Sequence, residues 1–216
     1  MFLAGMFFTF SAHAQQWVNF SSSTPAVPEV NLITSNEQEV TFEVIIPGIY
    51  YTDTIVNNQF FRRLTLLGGG TVNPPGFPEI PVLHYKIAIP ECSGMDIAPQ
   101  VVSRQNLSTC LIYPVPETVY DENTGMYSER FAFNDSIYAQ PRFLNPELVA
   151  VESSTGAIRA QRYVEIKVQP IEFCPVTQQL SVIDKVIVTL NFTNPKGRLR
   201  QNTGIFNKVA TNSFIN

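Results

Sequence analysis

The sequence predicts an all-β chain, built as an antiparallel β-sandwich or jelly-roll-like single domain. Apolar residues recur with a period of two in segment after segment, and no stretch shows the 3.6-residue period of a helix. Sixteen Phe, 16 Pro and 8 Tyr, with abundant Val, Ile and Thr, favour strands and turns. Clusters of Pro, Gly, Asn and Asp punctuate the chain at short intervals, and no crossover helix of a parallel α/β fold is present. With 44% hydrophobic and 15% charged residues, the chain can build a core and is not of disordered composition.

Residues 1–14 read as a secretory signal peptide. Met1 to Phe10 is apolar and uncharged, and Ser11-Ala12-His13-Ala14 supplies small residues before Gln15, although a basic leading segment is missing. No later stretch reaches the ~18 apolar residues that a membrane helix needs. Residues 15–195 are the expected sandwich, and residues 196–216 the expected linker, with Lys196, Arg198 and Arg200 set among Gly and Asn.

Within the sandwich, Ser21 to Pro28 is a Ser/Pro-rich lead-in. Val40, Phe42, Val44 and Ile46 alternate on one strand face, ended by Pro47-Gly48. Phe60 to Leu67 is a strand stopped by Gly68-Gly69-Gly70, and Val82 to Ile89 follows the turn-rich run from Asn73 to Pro81. Ile97 to Arg104 and Leu107 to Tyr113 read as two more strands. Pro114 to Pro146 is a long turn-laden region centred on Asp121-Glu122-Asn123-Thr124-Gly125. Leu148 to Val151, Ala157 to Val168 and Ile171 to Phe173 come next. The last strand is the clearest, with Leu180, Val182, Val186, Val188, Leu190 and Phe192 on one face and Asp184 as the interruption.

Little in this inventory supports chemistry. A cysteine or serine nucleophile needs a base within hydrogen-bond reach, and after signal removal only His84 remains, at an alternating strand position. Cys174 lies between Phe173 and Pro175, and no Gly-x-Ser-x-Gly is present. One His and three scattered Cys lack zinc-ligand spacing, so neither metal nor cofactor is expected. Cys92 and Cys110 flank an apparent hairpin unit and are the natural disulfide pair in an oxidising compartment, with three buried free thiols as the alternative. A net charge of −4 gives no polybasic signature for nucleic acid.

Several segments, taken together, resemble the propeptide of the gingipain family, the C25 cysteine peptidases of Bacteroidetes. They are Gly76-Phe77-Pro78-Glu79-Ile80-Pro81-Val82-Leu83 running to Ile87-Ala88-Ile89-Pro90; Arg159-Ala160-Gln161-Arg162-Tyr163 with Val168 to Thr177 and the strand to Val188; and Phe206 to Ile215. The match covers most of residues 30–215 in order.

The resemblance implies a folding and latency domain for a cysteine endopeptidase precursor, not an enzyme by itself. Its partner would be the cognate catalytic domain in the same precursor, and its route the periplasm and then the cell surface through type IX secretion. The family's prodomain loop corresponds to Glu117–Arg130 here. That makes Tyr120, Asp121, Glu122, Tyr127 and Arg130 the candidate partner-binding residues, with Asp121 or Glu122 standing where arginine-specific relatives place an arginine. Arg198 and Arg200 are candidate processing sites. The alternative from another class is a free-standing secreted adhesion or carbohydrate-binding sandwich, which would show an exposed aromatic platform.

Overall fold

The computed structural model describes residues 14–144, 147–151, 155–158, 161–196 and 214–216. The chain enters as β1 (Gln16–Asn19), β2 (Glu29–Ser35), β3 (Glu39–Ile45), β4 (Gly48–Val56) and β5 (Gln59–Thr65). It continues as β6 (Gly70–Thr71), β7 (Pro81–Ile89), β8 (Gly94–Leu107), β9 (Leu111–Ile112), β10 (Glu117–Asp121) and β11 (Met126–Arg130). A four-residue helix, α1 (Asp135–Tyr138), is capped by the Asn134 side chain, which accepts from Ile137 N. The remaining strands are β12 (Val149–Val151), β13 (Gly156–Ile158), β14 (Gln161–Val168), β15 (Ile171–Cys174) and β16 (Gln179–Thr193).

Three sheets enclose one core, as the sequence predicts for an all-β sandwich. The first runs β1-β4-β5-β9, antiparallel except for the parallel pair β5 and β9. The second runs β12-β14-β7-β6, with β13 also on β14. In the third, β16 carries β8 along one edge and β15 followed by β3 along the other, and β2 lies outside β3. β10 and β11 pair only with each other.

Alternation explains the central pairing. Val40, Phe42 and Val44 stand opposite Leu190, Val188 and Val186, and all six are essentially inaccessible to solvent. Each such side chain contributes about 1.5–3 kcal/mol through burial. One cluster joins them to Phe61 and Leu64 of the first sheet and to Ile87, Val164 and Ile166 of the second. Across the other face, the Thr41 and Thr189 hydroxyls lie 3.1 Å apart. Asp184, the break in the apolar pattern, sits at a register shift between β16 and β8. There its carboxylate accepts from Ser103 Oγ (2.8 Å) and Gln105 Nε2 (3.1 Å), and its carbonyl accepts from Ile46 N (2.8 Å).

Pro47-Gly48 does mark the end of the first alternating strand, β3 stopping at Ile45, and β4 begins at Gly48, under the Trp17 ring. Three expectations change. Ala157 to Val168 is not one strand but two that pair with each other, with Ile158 opposite Gln161. Ile97 to Arg104 and Leu107 to Tyr113 are not a hairpin, since residues 94–107 form one continuous edge strand. This also removes the Cys92–Cys110 bridge: all three cysteines are free, and the 14 residues of β8 separate those two. At about 3.3 Å per residue, that strand holds them tens of ångströms apart, against a limit of about 7 Å between Cα atoms for a disulfide.

Residues 1–13 of the expected signal peptide lie outside the described residues, as do residues 197–213 of the expected linker with Arg198 and Arg200. The described ends of that linker are in contact with the sandwich. Lys196 N donates to Glu91 O, and Ile215 N donates to Lys86 O.

Candidate functional site

Among the described residues, the β10–β11 hairpin stands out from the core, with every residue of β11 exposed, and the sequence places it only as turn-laden chain. Its loop is closed by Asp121. The Asp121 carbonyl accepts from Gly125 N (2.8 Å), while its carboxylate accepts from Asn123 N (2.9 Å) and Thr124 Oγ1 (3.0 Å). Gly125 takes φ +67, the left-handed conformation that glycine adopts without a Cβ penalty. Asp121 is therefore engaged in holding the turn, and Glu122 is the acid presented at the tip.

Tyr120 and Tyr127 face each other across the ribbon with ring centroids 5.0 Å apart. They are 52% and 74% exposed, and neighbouring Met126 is 69% exposed. The tyrosine pair forms a contact surface on one face of the hairpin, with Met126 exposed on the opposite face, and no part of the described chain covers either. Arg130 is not at the tip. It stands at the root opposite Glu117, with Nη2 2.5 Å and Nε 3.2 Å from the same carboxylate oxygen.

The hairpin is rigidly mounted. Phe131 and Phe133, just beyond β11, enter an aromatic cluster: Phe61 lies 5.6 Å from Phe131 and 6.0 Å from Phe133, and Phe133 stacks on Tyr138 at 4.2 Å. The Tyr138 hydroxyl donates to Ile112 O (2.6 Å). The turn at Gly76-Phe77-Pro78 fastens both legs. Gly76 N donates to Val115 O and Val115 N to Phe77 O on the incoming leg, and Asn134 N donates to Gly76 O on the outgoing one.

Arg63 adds an electrostatic brace that sequence reading missed. Its guanidinium lies over the Tyr113 ring at 4.5 Å, with Nε 2.7 Å from Glu79 Oε2 and Nη2 3.8 Å from Glu129 of β11. The contact to Glu79 is an ion pair rather than an aligned hydrogen bond, since that buried oxygen has no hydrogen-bond partner. Burial raises the pKa of Glu79, with Arg63 opposing, whereas the Asn123 amide and the Thr124 hydroxyl lower that of Asp121.

The two shifts have opposite signs for stability. The contribution of Asp121 is present above its unfolded pKa and lost as pH falls through the depressed value. That of Glu79 is present at low pH and lost as pH rises through the elevated value. In an NMR carboxyl titration, Glu79 is expected to titrate above, and Asp121 below, the ordinary range for its type. The reverse order would show that the brace or the turn is misassigned.

The other sequence candidates are not assembled into a catalytic site. His84, on β7, lies with Nδ1 3.9 Å from Glu165 of β14. Cys174, on β15 of a different sheet, is buried, with a pKa lowered by the Thr177 hydroxyl. Among the described residues, no three His, Cys, Asp or Glu side chains cluster to hold a metal, and no helix is long and apolar enough to cross a membrane. Trp17 forms no exposed platform: it is half-buried, edge-on to Tyr50, and its indole donates to Ser22 O (3.0 Å).

The family model Propeptide_C25 matches residues 21–216. The chain belongs to the C25 propeptide family. This C25 propeptide is 22% identical over 187 residues to Gingipain R1 of Porphyromonas gingivalis, covering 85% of the chain and 18% of that protein. It is 20% identical over 172 residues to Gingipain R2 of the same organism, covering 79% of the chain and 23% of the relative. The propeptide thus spans about a fifth of the length of these curated relatives.

Among solved structures, it resembles one in the complex of the Porphyromonas gingivalis RgpB pro- and mature domains. The TM-score is 0.71 at 19% identity, over 88% of this chain and 98% of that one. A second match comes from a structure on the zymogenic latency of gingipain K from the same organism. Its TM-score is 0.67 at 17% identity, over 84% of this chain and all of that one. The all-β fold is therefore shared with these structures, and the chain is a propeptide domain rather than a catalytic one.

Proposed function

We propose that this C25 propeptide assists folding of a gingipain-like cysteine endopeptidase domain and keeps it latent by covering its active-site cleft until cleaved. The observation that carries the reading is the hairpin itself: an exposed Tyr120–Tyr127 pair on a root locked to the core. Preorganisation of this kind lowers the ordering cost of association, and paired tyrosines are frequent anchors of interfaces. Arg130 is engaged by Glu117, so it supports the hairpin root, and the tip offers Glu122 in place of a basic side chain. A partner whose specificity pocket carries a carboxylate would repel that tip. Latency here accordingly rests on the tyrosine pair and on steric cover.

The chain added in trans to its purified catalytic domain is expected to inhibit it. Replacing Tyr120 and Tyr127 together with alanine should weaken the inhibition constant about 100-fold, at about 1–2 kcal/mol per anchor. Both rings are exposed, so the thermal midpoint should barely move. Unchanged inhibition by the double variant would refute the hairpin as the contact. Residues 1–14 serve as export signal on this reading, and processing falls at Arg198 or Arg200. The N-terminal sequence of the mature enzyme checks the second point, and a start unrelated to either arginine rejects it.

A further inference from the structure

The tail of the chain is bound in a way that its expected role as linker does not require. β14 occupies one edge of β7 from Leu83 to Ile89, whereas β6 takes only Pro81 and Val82 on the other. Beyond Val82 that second edge has no strand partner among the described residues, and the tail meets it at Lys86 and Ala88. Ile215 N donates to Lys86 O (3.1 Å). Asn216 then does with its carboxamide what a strand does with its backbone: Oδ1 accepts from Ala88 N (2.8 Å) and Nδ2 donates to Ala88 O (3.0 Å). The same Nδ2 lies 3.2 Å from Ser35 Oγ at the end of β2, so the contact ties the second sheet to the third.

Side chains reinforce the main-chain pairing. Ile215 packs on the core cluster, and the Phe214 ring lies 5.7 Å from that of Tyr163 on β14. Tyr163 is itself backed by Gly156, where a Cβ would fall 2.6 Å from the ring. The strand before the tail also ends on this part of the molecule, with Lys196 N donating to Glu91 O (2.6 Å) just past β7. Both ends of the connection 197–213 are thus attached close to one strand.

We propose that the free edge of β7 is a strand-acceptor site for the chain from Phe214 onward, and that it holds this segment independently of the connection 197–213. Adding a strand to an open edge is an established way for a sheet to bind a peptide, with the backbone giving affinity and flanking side chains giving specificity. Resting on the latency reading above, the consequence is a two-step release. A cut between Lys196 and Phe214 does not free the downstream chain, which stays clasped until it is peeled from β7. While the connection is intact it maintains a high local concentration of the tail, so a modest clasp stays closed.

The test uses the whole chain and needs no peptidase. Hydrogen exchange at the Ala88 amide, whose acceptor is Asn216 Oδ1, is compared between the chain and its Asn216→Ala variant. Acceleration of about tenfold is expected at Ala88, as for the loss of one to two hydrogen bonds, with no change at the core amide of Val188. A synthetic peptide of residues 209–216 added to the variant should slow Ala88 again, and the same peptide carrying Asn216→Ala should not. Equal exchange in the two chains, or no rescue by the peptide, would overturn the proposal. Failure here leaves the inhibition assay intact, and failure of inhibition leaves the exchange result intact, so the two readings are separable.

Discussion

Phe61→Ala is expected to cost about 3–5 kcal/mol of folding stability, the range for removing a fully buried phenylalanine. Phe61 is 1% exposed and lies within 6.1 Å, centroid to centroid, of Tyr113, Phe131 and Phe133. Its loss removes the common neighbour of the strand that leads into the hairpin and the segment that leaves it. Domains of this size are stable by only about 5–15 kcal/mol, so the variant should approach the threshold of folding. Urea unfolding followed by circular dichroism gives the number. A cost below about 1 kcal/mol would mean that the aromatic cluster relaxes around the vacancy and does not mount the hairpin. A folded but weakened variant should also inhibit less well than the native chain, because the hairpin root has lost its anchor while its tyrosines are intact.

Gly48→Ala is expected to be the second most damaging change, at about 1–3 kcal/mol, as for overpacking a close-packed site. An added Cβ would lie 2.3 Å from Trp17 Cζ2 and 2.4 Å from the Val18 carbonyl oxygen, inside contact distance of both a ring and a backbone. The ring can swing aside, but the carbonyl belongs to the β1–β4 ladder, where Asn19 stands opposite Gly48. β1 should therefore detach. Trp17 is the single tryptophan, so its fluorescence reports the event directly. A red-shifted emission with loss of stability is expected. An unshifted spectrum with native stability would refute the close approach. Combining the change with Trp17→Ala should restore only part of the loss, because the clash with the carbonyl remains.

How much of this was readable from residues alone follows the physics of burial. β3, β7 and β16 were legible because each has a strong alternating or apolar core signature. β8 was legible only from Ile97 to Arg104, with Leu107 assigned to the next strand, because an edge strand with few buried side chains carries a weak hydrophobic period. β10 and β11 were invisible for the same reason, although the turn from Asp121 to Gly125 between them was not. Candidate residues at the tip were named from the family resemblance, which could not give their division of labour. That Asp121 closes the loop while Glu122 is presented depends on hydrogen-bond geometry. The brace from Arg63 to Glu79 and Glu129 joins three segments far apart in sequence, and no local pattern marks it. The resemblance located the Gly76-Phe77-Pro78 turn without revealing that it fastens both legs of the hairpin.

The pairing of β3 with β16 has a consequence in time. Val44 and Val186 are register partners, as are Val40 and Leu190, so the middle of the third sheet joins the first quarter of the chain to its last fifth. A polypeptide that emerges N-terminus first holds β3 without its partner until almost the whole domain has been delivered. Neighbours so distant along the chain impose a large loop-closure cost before any contact rewards it, which places such a topology among slow folders, in the millisecond-to-second range. Stopped-flow refolding should show that slow phase. During delivery the edge of β3 that faces the middle of the sheet stays unpaired, and the last strand to arrive is the one that closes the sheet.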